Sequence, residues 1–146
     1  MTDDEVLERA RSIAAKRLRR RSFALCSPVR SSELICPMIG NEPKEVFLVV
    51  YLDSRHRVIR HERVFTGTLN TCAVYPREVV RGALLSGAGA VILAHNHPSG
   101  DLQASRADRD MTEKVREALS TIDVRVLDHL IVNGAEYVSF VERGFL

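Results

Sequence analysis

The sequence predicts an α/β fold, a sheet with helices packed on its faces. Two continuous apolar runs, Glu45–Leu52 (EVFLVVYL) and Ala90–Ala94 (AVILA), read as buried strands. Other segments carry apolar residues at helical spacing. The resulting order is helix, two strands, helix, strand, helix, two strands, and such a chain layers helices on a sheet.

Taken in order, residues 4–21 form the first predicted helix, with Val6, Leu7, Ala10, Ile13, Ala14 and Leu18 recurring on one face. Residues 22–44 hold Pro28, Pro37, Gly40 and Pro43 and read as a connecting region with one short element around Ser32–Ile35. Glu45–Leu52 is a strand. Asp53–His56 is a turn, and Val58–Phe65 the partner strand of a hairpin. Gly67–Asn70 is a loop. Pro76 opens a helix to about Ser86, because proline lacks only an N–H that the first helical turn leaves unpaired anyway. Its apolar face is Val79, Val80, Ala83 and Leu84, and Gly87 and Gly89 end it. After the strand at Ala90 comes a helix capped by Ser105 and ending near Leu119. Val124–Val132 and Tyr137–Val141 are the last strands, with Asn133-Gly134 in the turn between them.

Length and composition narrow the class. A chain of 146 residues is one domain in size, and 45% hydrophobic residues suffice for a core. No run approaches the roughly 18 apolar residues that span a membrane. The start, MTDDEVLERA, is acidic and polar, unlike a signal peptide. Cys26, Cys36 and Cys72 are odd in number and lack a Cys-x-x-Cys spacing, which predicts reduced, mostly buried thiols in a bacterial cytoplasm. The net charge is +2. Residues 1–22 hold seven Lys or Arg against four Asp or Glu, a net of +3, and the remainder fourteen against fifteen, a net of −1. The excess sits in a basic helical arm, residues 1–22, ending in Lys16–Arg21. Such an arm either binds nucleic acid or an acidic partner, or is a solvated helix face with cations at its C-terminal end.

The segment from Ala90 to Leu119 carries the chemistry. His95 and His97 end a strand, where residues i and i+2 point the same way and converge. Pro98–Asp101 is a turn, and Asp108 follows in the first turn of the next helix. Two neutral imidazoles and one carboxylate, with a position left open, suit a catalytic zinc site. Two bland alternatives stand beside this: surface histidines on a loop, and an Asp108 that only completes a capping box with Ser105. Ser99 stands where metallo-β-lactamase-like hydrolases need an acid. The chain is too short for an amidohydrolase barrel of about 250 residues. The His-x-Glu and Pro-Cys-x-x-Cys of zinc deaminases are absent.

Taken whole, His95-x-His97-Pro98, six residues, then Ser105-x-x-Asp108 resembles the JAMM signature of the MPN-domain metalloproteases. Gly67-Thr68-Leu69-Asn70, Tyr75-Pro76-Arg77-Glu78, His95–Gly100 and Val126-Leu127-Asp128-His129 look like its RadC-like branch. The resemblance covers roughly residues 23–146 and implies a single MPN domain there. That domain would be a curved mixed sheet between helices, of cytidine-deaminase-like architecture, with the metal at one edge. It implies zinc on His95, His97 and Asp108. It also implies a Glu near the start of an upstream core strand as the base that takes a proton from water; Glu45 matches. Glu42 and Glu62 are rivals, one in a loop and the other in the hairpin. Ser105 would cap the helix and support the oxyanion, and Asn96 and Ser99 would orient ligands. His129 is expected to pair with its neighbour on a strand, and His56 and His61 to lie on the hairpin surface. The implied activity is a zinc-dependent hydrolysis of peptide or isopeptide bonds. The branch's name also implies DNA repair, although no helix-hairpin-helix region is read ahead of the domain. A non-catalytic MPN scaffold is the third alternative, and such scaffolds usually lose the ligands that this chain keeps.

Overall fold

The computed structural model describes residues 1–18, 24–67 and 74–146. The basic run beyond Leu18, the loop from Thr68 to Asn70 and Cys72 lie outside the described residues. Four helices, α1 (Asp3–Leu18), α2 (Pro28–Ile39), α3 (Pro76–Ser86) and α4 (Arg106–Ser120), accompany five strands. These are β1 (Glu45–Leu52), β2 (Val58–Gly67), β3 (Ala90–Asn96), β4 (Arg125–Asn133) and β5 (Glu136–Ser139). They form one mixed sheet in the order β2-β1-β3-β4-β5. Only β3 and β4 run parallel, joined through α4, because a parallel pair needs a long crossover.

The continuous apolar runs now have a reason. β1 and β3 lie inside the sheet with helices on both faces, so neither side of the strand meets water. Alternate residues divide between two cores. Val46, Leu48, Val50, Leu52, Ile92 and Ala94 pack with α2 and with Ala14 of α1. Phe47, Val49, Tyr51, Val91 and Leu93 pack with Val79 and Ala83 of α3 and Met111, Val115 and Leu119 of α4.

Three sequence expectations change. Residues 28–39 are a full helix rather than a short element. Ser27 caps it, accepting from the Arg30 N–H at 3.2 Å, Pro28 takes the first turn, and Pro37 sits inside its last turns. The apolar residues Leu34, Ile35, Met38 and Ile39 have helical spacing and are buried, and that burial outweighs the hydrogen bond Pro37 cannot make. Leu84 leaves the α3 apolar face and is 62% exposed. Gly82 takes its place against the sheet, where any Cβ would strike the Tyr51 hydroxyl. The last strand starts and stops earlier than expected, since Val141 turns away to bond elsewhere. Cys36 is buried and burial pushes its thiol up to about 11, whereas Cys26 is exposed. Among the described residues, no helix is long and apolar enough to cross a membrane.

Candidate metal centre

His95 falls on the α3/α4 face of β3, because it continues the Val91–Leu93 alternation, and it is fully buried. His97 lies just past the strand, held there by its N–H donating to the Val132 carbonyl at 3.2 Å. Asp108 arrives from the other side, in the first turn of α4. A complete capping box fixes it. The Asp108 N–H donates to Ser105 Oγ at 3.0 Å, and the Ser105 N–H donates to Asp108 Oδ2 at 3.0 Å. Capping and convergence are thus compatible: one carboxylate oxygen takes the backbone proton, and both still face the histidines.

The three groups offer donor atoms that all lie within 4.8 Å of one another and could hold a metal ion. His95 Nε2 is 2.9 Å from His97 Nε2. Asp108 Oδ1 is 3.5 Å from His95 Nε2, and Asp108 Oδ2 is 3.4 Å from His97 Nε2. An ion bound tetrahedrally at about 2.0–2.2 Å needs donors about 3.3–3.6 Å apart. Two of the three separations fall in that range, and the third is within half an ångström of it, so the residues fit such an ion.

Electrostatics agree. Burial opposes charge on Asp108, but hydrogen bonds from His95 and His97, the charge of His95 and the Ser105 N–H together hold its carboxyl well below the usual range. His97 is shifted up, first by its hydrogen bond to Asp108 and against the effect of burial; the Asp101 carbonyl and the charges of Asp108 and Glu45 add to the rise. The Glu45 charge therefore reaches His97. Strand register explains why. Phe47 pairs with His95 across β1 and β3, and Phe47 and His95 stack at 6.1 Å. Glu45 opens β1 two residues before Phe47, on the same face of that strand, and His97 follows His95 just past the end of β3.

The rivals are engaged elsewhere. Glu42 forms ion pairs with Arg63 at 3.1 Å and Arg11 at 3.7 Å, and Glu62 pairs with Arg60. Ser99 is exposed. Asn96 does not turn toward the histidines. It points to the opposite face, accepts from the Val46 N–H at 2.6 Å and donates to the carbonyls of Glu42 at 3.2 Å and Lys44 at 3.0 Å. It clamps the backbone on both sides of Glu45.

Sequence reasoning missed two neighbours. His129 is fully buried, and its Nε2 meets His95 Nδ1 at 2.7 Å. It is not paired side chain to side chain with Asp128, which bonds its backbone N–H instead. Desolvation, followed by the charge of His95, pushes His129 well below the ordinary histidine range. Thr112 is the second, one helical turn after Asp108, where a threonine hydroxyl commonly reaches back to the carbonyl four residues earlier. That back-bonding position is legible in sequence; the pairing of β3 with β4 that delivers His129 is not.

The family model of the RadC-like JAB domain matches residues 25–145. The chain belongs to that family.

Proposed function

We propose that this member of the RadC-like JAB domain family is a zinc-dependent hydrolase of amide bonds, peptide or isopeptide. The observation that carries the proposal is the convergence of His95 Nε2, His97 Nε2 and the Asp108 carboxylate at separations suited to a tetrahedral ion. Two imidazoles and one carboxylate leave a coordination position open, as a catalytic zinc site requires. Bound there, zinc would lower the pKa of a water and polarise a carbonyl.

The residues of the chain do the rest. Glu45 takes a proton from water and returns it to the leaving amine; its place at the start of β1, which pairs with the strand that carries His95, and the reach of its charge to His97 support this role. Ser105 Oγ accepts from the Asp108 N–H, so its own hydroxyl hydrogen is left to donate to a developing oxyanion. A cavity of about 370 Å³, lined by Asp101, Leu102, Ala104, Arg109 and Phe145 among others, lies along the segment that joins His97 to Ser105 and offers room for a substrate chain.

The test is metal analysis after zinc loading and gentle dialysis, joined to a cleavage screen of peptides and isopeptides. One zinc per chain is expected, with strongly reduced occupancy in His95→Ala. Equal, near-zero metal in both proteins would sink the proposal.

A further inference from the structure

We propose that Thr112 and His129 are positioning residues which lock His95 in the tautomer whose bare Nε2 faces the metal position. The inference rests on the proposed metal site and adds two residues to it.

The chain of hydrogen bonds has one permitted direction. The backbone carbonyl of Asp108 can only accept, so the Thr112 hydroxyl, 2.7 Å away, donates to it. With that proton committed, Thr112 Oγ1 meets His129 Nδ1 at 2.6 Å as the acceptor, and His129 Nδ1 carries the hydrogen. The His129 ring is fully buried, stacked on Phe140 at 4.4 Å and edge-on to Phe47 at 5.5 Å. In that surrounding a neutral ring is favoured, and a neutral imidazole has one N–H. Its Nε2 is therefore bare and accepts from His95 Nδ1 at 2.7 Å. His95 in turn has its hydrogen on Nδ1, and its Nε2 lone pair points toward His97 and Asp108.

His97 is oriented by a shorter route. Its Nδ1 lies 2.6 Å from the Asp101 carbonyl, which again can only accept. One histidine is thus oriented by backbone, the other by a relay of two side chains. The relay ends on the carbonyl of Asp108, whose carboxylate belongs to the same donor set. The position of α4 against β4 therefore governs both the carboxylate and the tautomer of the opposite histidine. Partners of this kind fix ring orientation and raise ligand basicity, and their loss typically weakens metal affinity ~10–100-fold.

Two measurements decide the matter. Long-range ¹H–¹⁵N correlation spectra of metal-free, imidazole-labelled protein, recorded at mildly alkaline pH, read each tautomer directly. His95 and His129 are both expected to carry hydrogen on Nδ1 and none on Nε2. A hydrogen on Nε2 of either ring overturns the relay. This arm uses the unaltered chain, so it decides the relay even if Thr112→Val fails to fold or the protein takes up no zinc, the latter outcome sinking the hydrolase proposal by itself. The second arm is zinc affinity by chelator competition. Thr112→Val, which keeps the shape and removes the hydroxyl, should weaken zinc binding ~10–100-fold, and Thr112→Ser should bind within about threefold of wild type. Folded Thr112→Val with wild-type zinc affinity would overturn the positioning role.

Discussion

Asp108 and Asp128 are both buried carboxylates, 7% and 5% exposed, yet their surroundings differ in kind. Asp128, at the corner where β4 meets the chain leaving β5, is enclosed by donors of the fold itself. Its Oδ1 accepts from the His129 N–H at 2.7 Å and the Val141 N–H at 3.1 Å, and its Oδ2 from the Ser139 hydroxyl at 2.6 Å. Asp108 accepts one backbone N–H, from Ser105, and otherwise faces two imidazoles whose Nδ1 atoms are already engaged by His129 and by the Asp101 carbonyl. The first arrangement is complete without a ligand. The second brings together three groups whose donor atoms could hold a metal ion. A buried acid enclosed by fixed donors of the fold needs nothing further, and one that faces two imidazoles can also serve a ligand.

The largest effect is expected in the residue that borders the open arrangement without joining it. Glu45→Gln should retain zinc but lose turnover by ~10²–10⁴-fold, the usual contribution of a general base. Zinc loss in this variant would make Glu45 a ligand and redraw the comparison; full activity would remove it from the mechanism.

The same substitution at both acids comes next. Asp108→Asn should weaken zinc binding by more than the ~10–100-fold typical of losing an outer partner, and should also lower the urea midpoint of the metal-free chain, because a carboxyl held below its usual range contributes stability at neutral pH. Asp128→Asn should leave zinc affinity near wild type and act on stability alone. Its amide nitrogen cannot accept, so a buried donor is left unpaired at a cost of about 1.5–3 kcal/mol in urea unfolding. Matching effects of the two variants on zinc affinity would erase the distinction.

Asn96 sharpens the comparison from the far side of the sheet. Asn96→Ala removes the clamp on the backbone around Glu45 and should cost about 1–3 kcal/mol of stability. Turnover should fall with zinc retained, because the histidines and Asp108 do not depend on that side chain. Zinc loss equal to that of Asp108→Asn would show that the clamp supports the ligands instead.

The smallest effect is a pH dependence. In the metal-free chain, the pKa of His97 is raised chiefly by its hydrogen bond to Asp108. A raised folded-state pKa gives stability that is fully present below the unfolded value of about 6.5 and is lost as pH rises through the folded value. The urea midpoint of metal-free protein should therefore decline slightly from about pH 6.5 upward, and Asp108→Asn should flatten the decline. A midpoint that rises over this window would contradict the pairing.

Much of this was legible in the chain because it is local. The strands β1 and β3 announce themselves as unbroken apolar runs, since they are covered on both sides. His95, His97, Ser105 and Asp108 fall within one strand–turn–helix segment, so strand alternation and helix capping alone bring them together. What escaped did so for identifiable reasons. Pro37 disguised α2, whose burial against the sheet outweighs one missing hydrogen bond. Leu84 matched a helical stripe, but the close approach of Tyr51 shifts the buried seam to Gly82. Asn96 stands between two histidines in sequence and faces away from both, as the period of two along a strand requires.

By itself, then, the sequence determined the α/β class, most elements and the three donor groups, because each depends on contacts between residues a few positions apart. Tertiary structure decided which groups stand beside them. The Glu45 charge reaches His97 because β1 pairs antiparallel with β3, and His129 meets His95 because β4 pairs parallel with β3 on the other side. Strand order and register are set by packing over the whole sheet, and no short-range pattern in the chain encodes them.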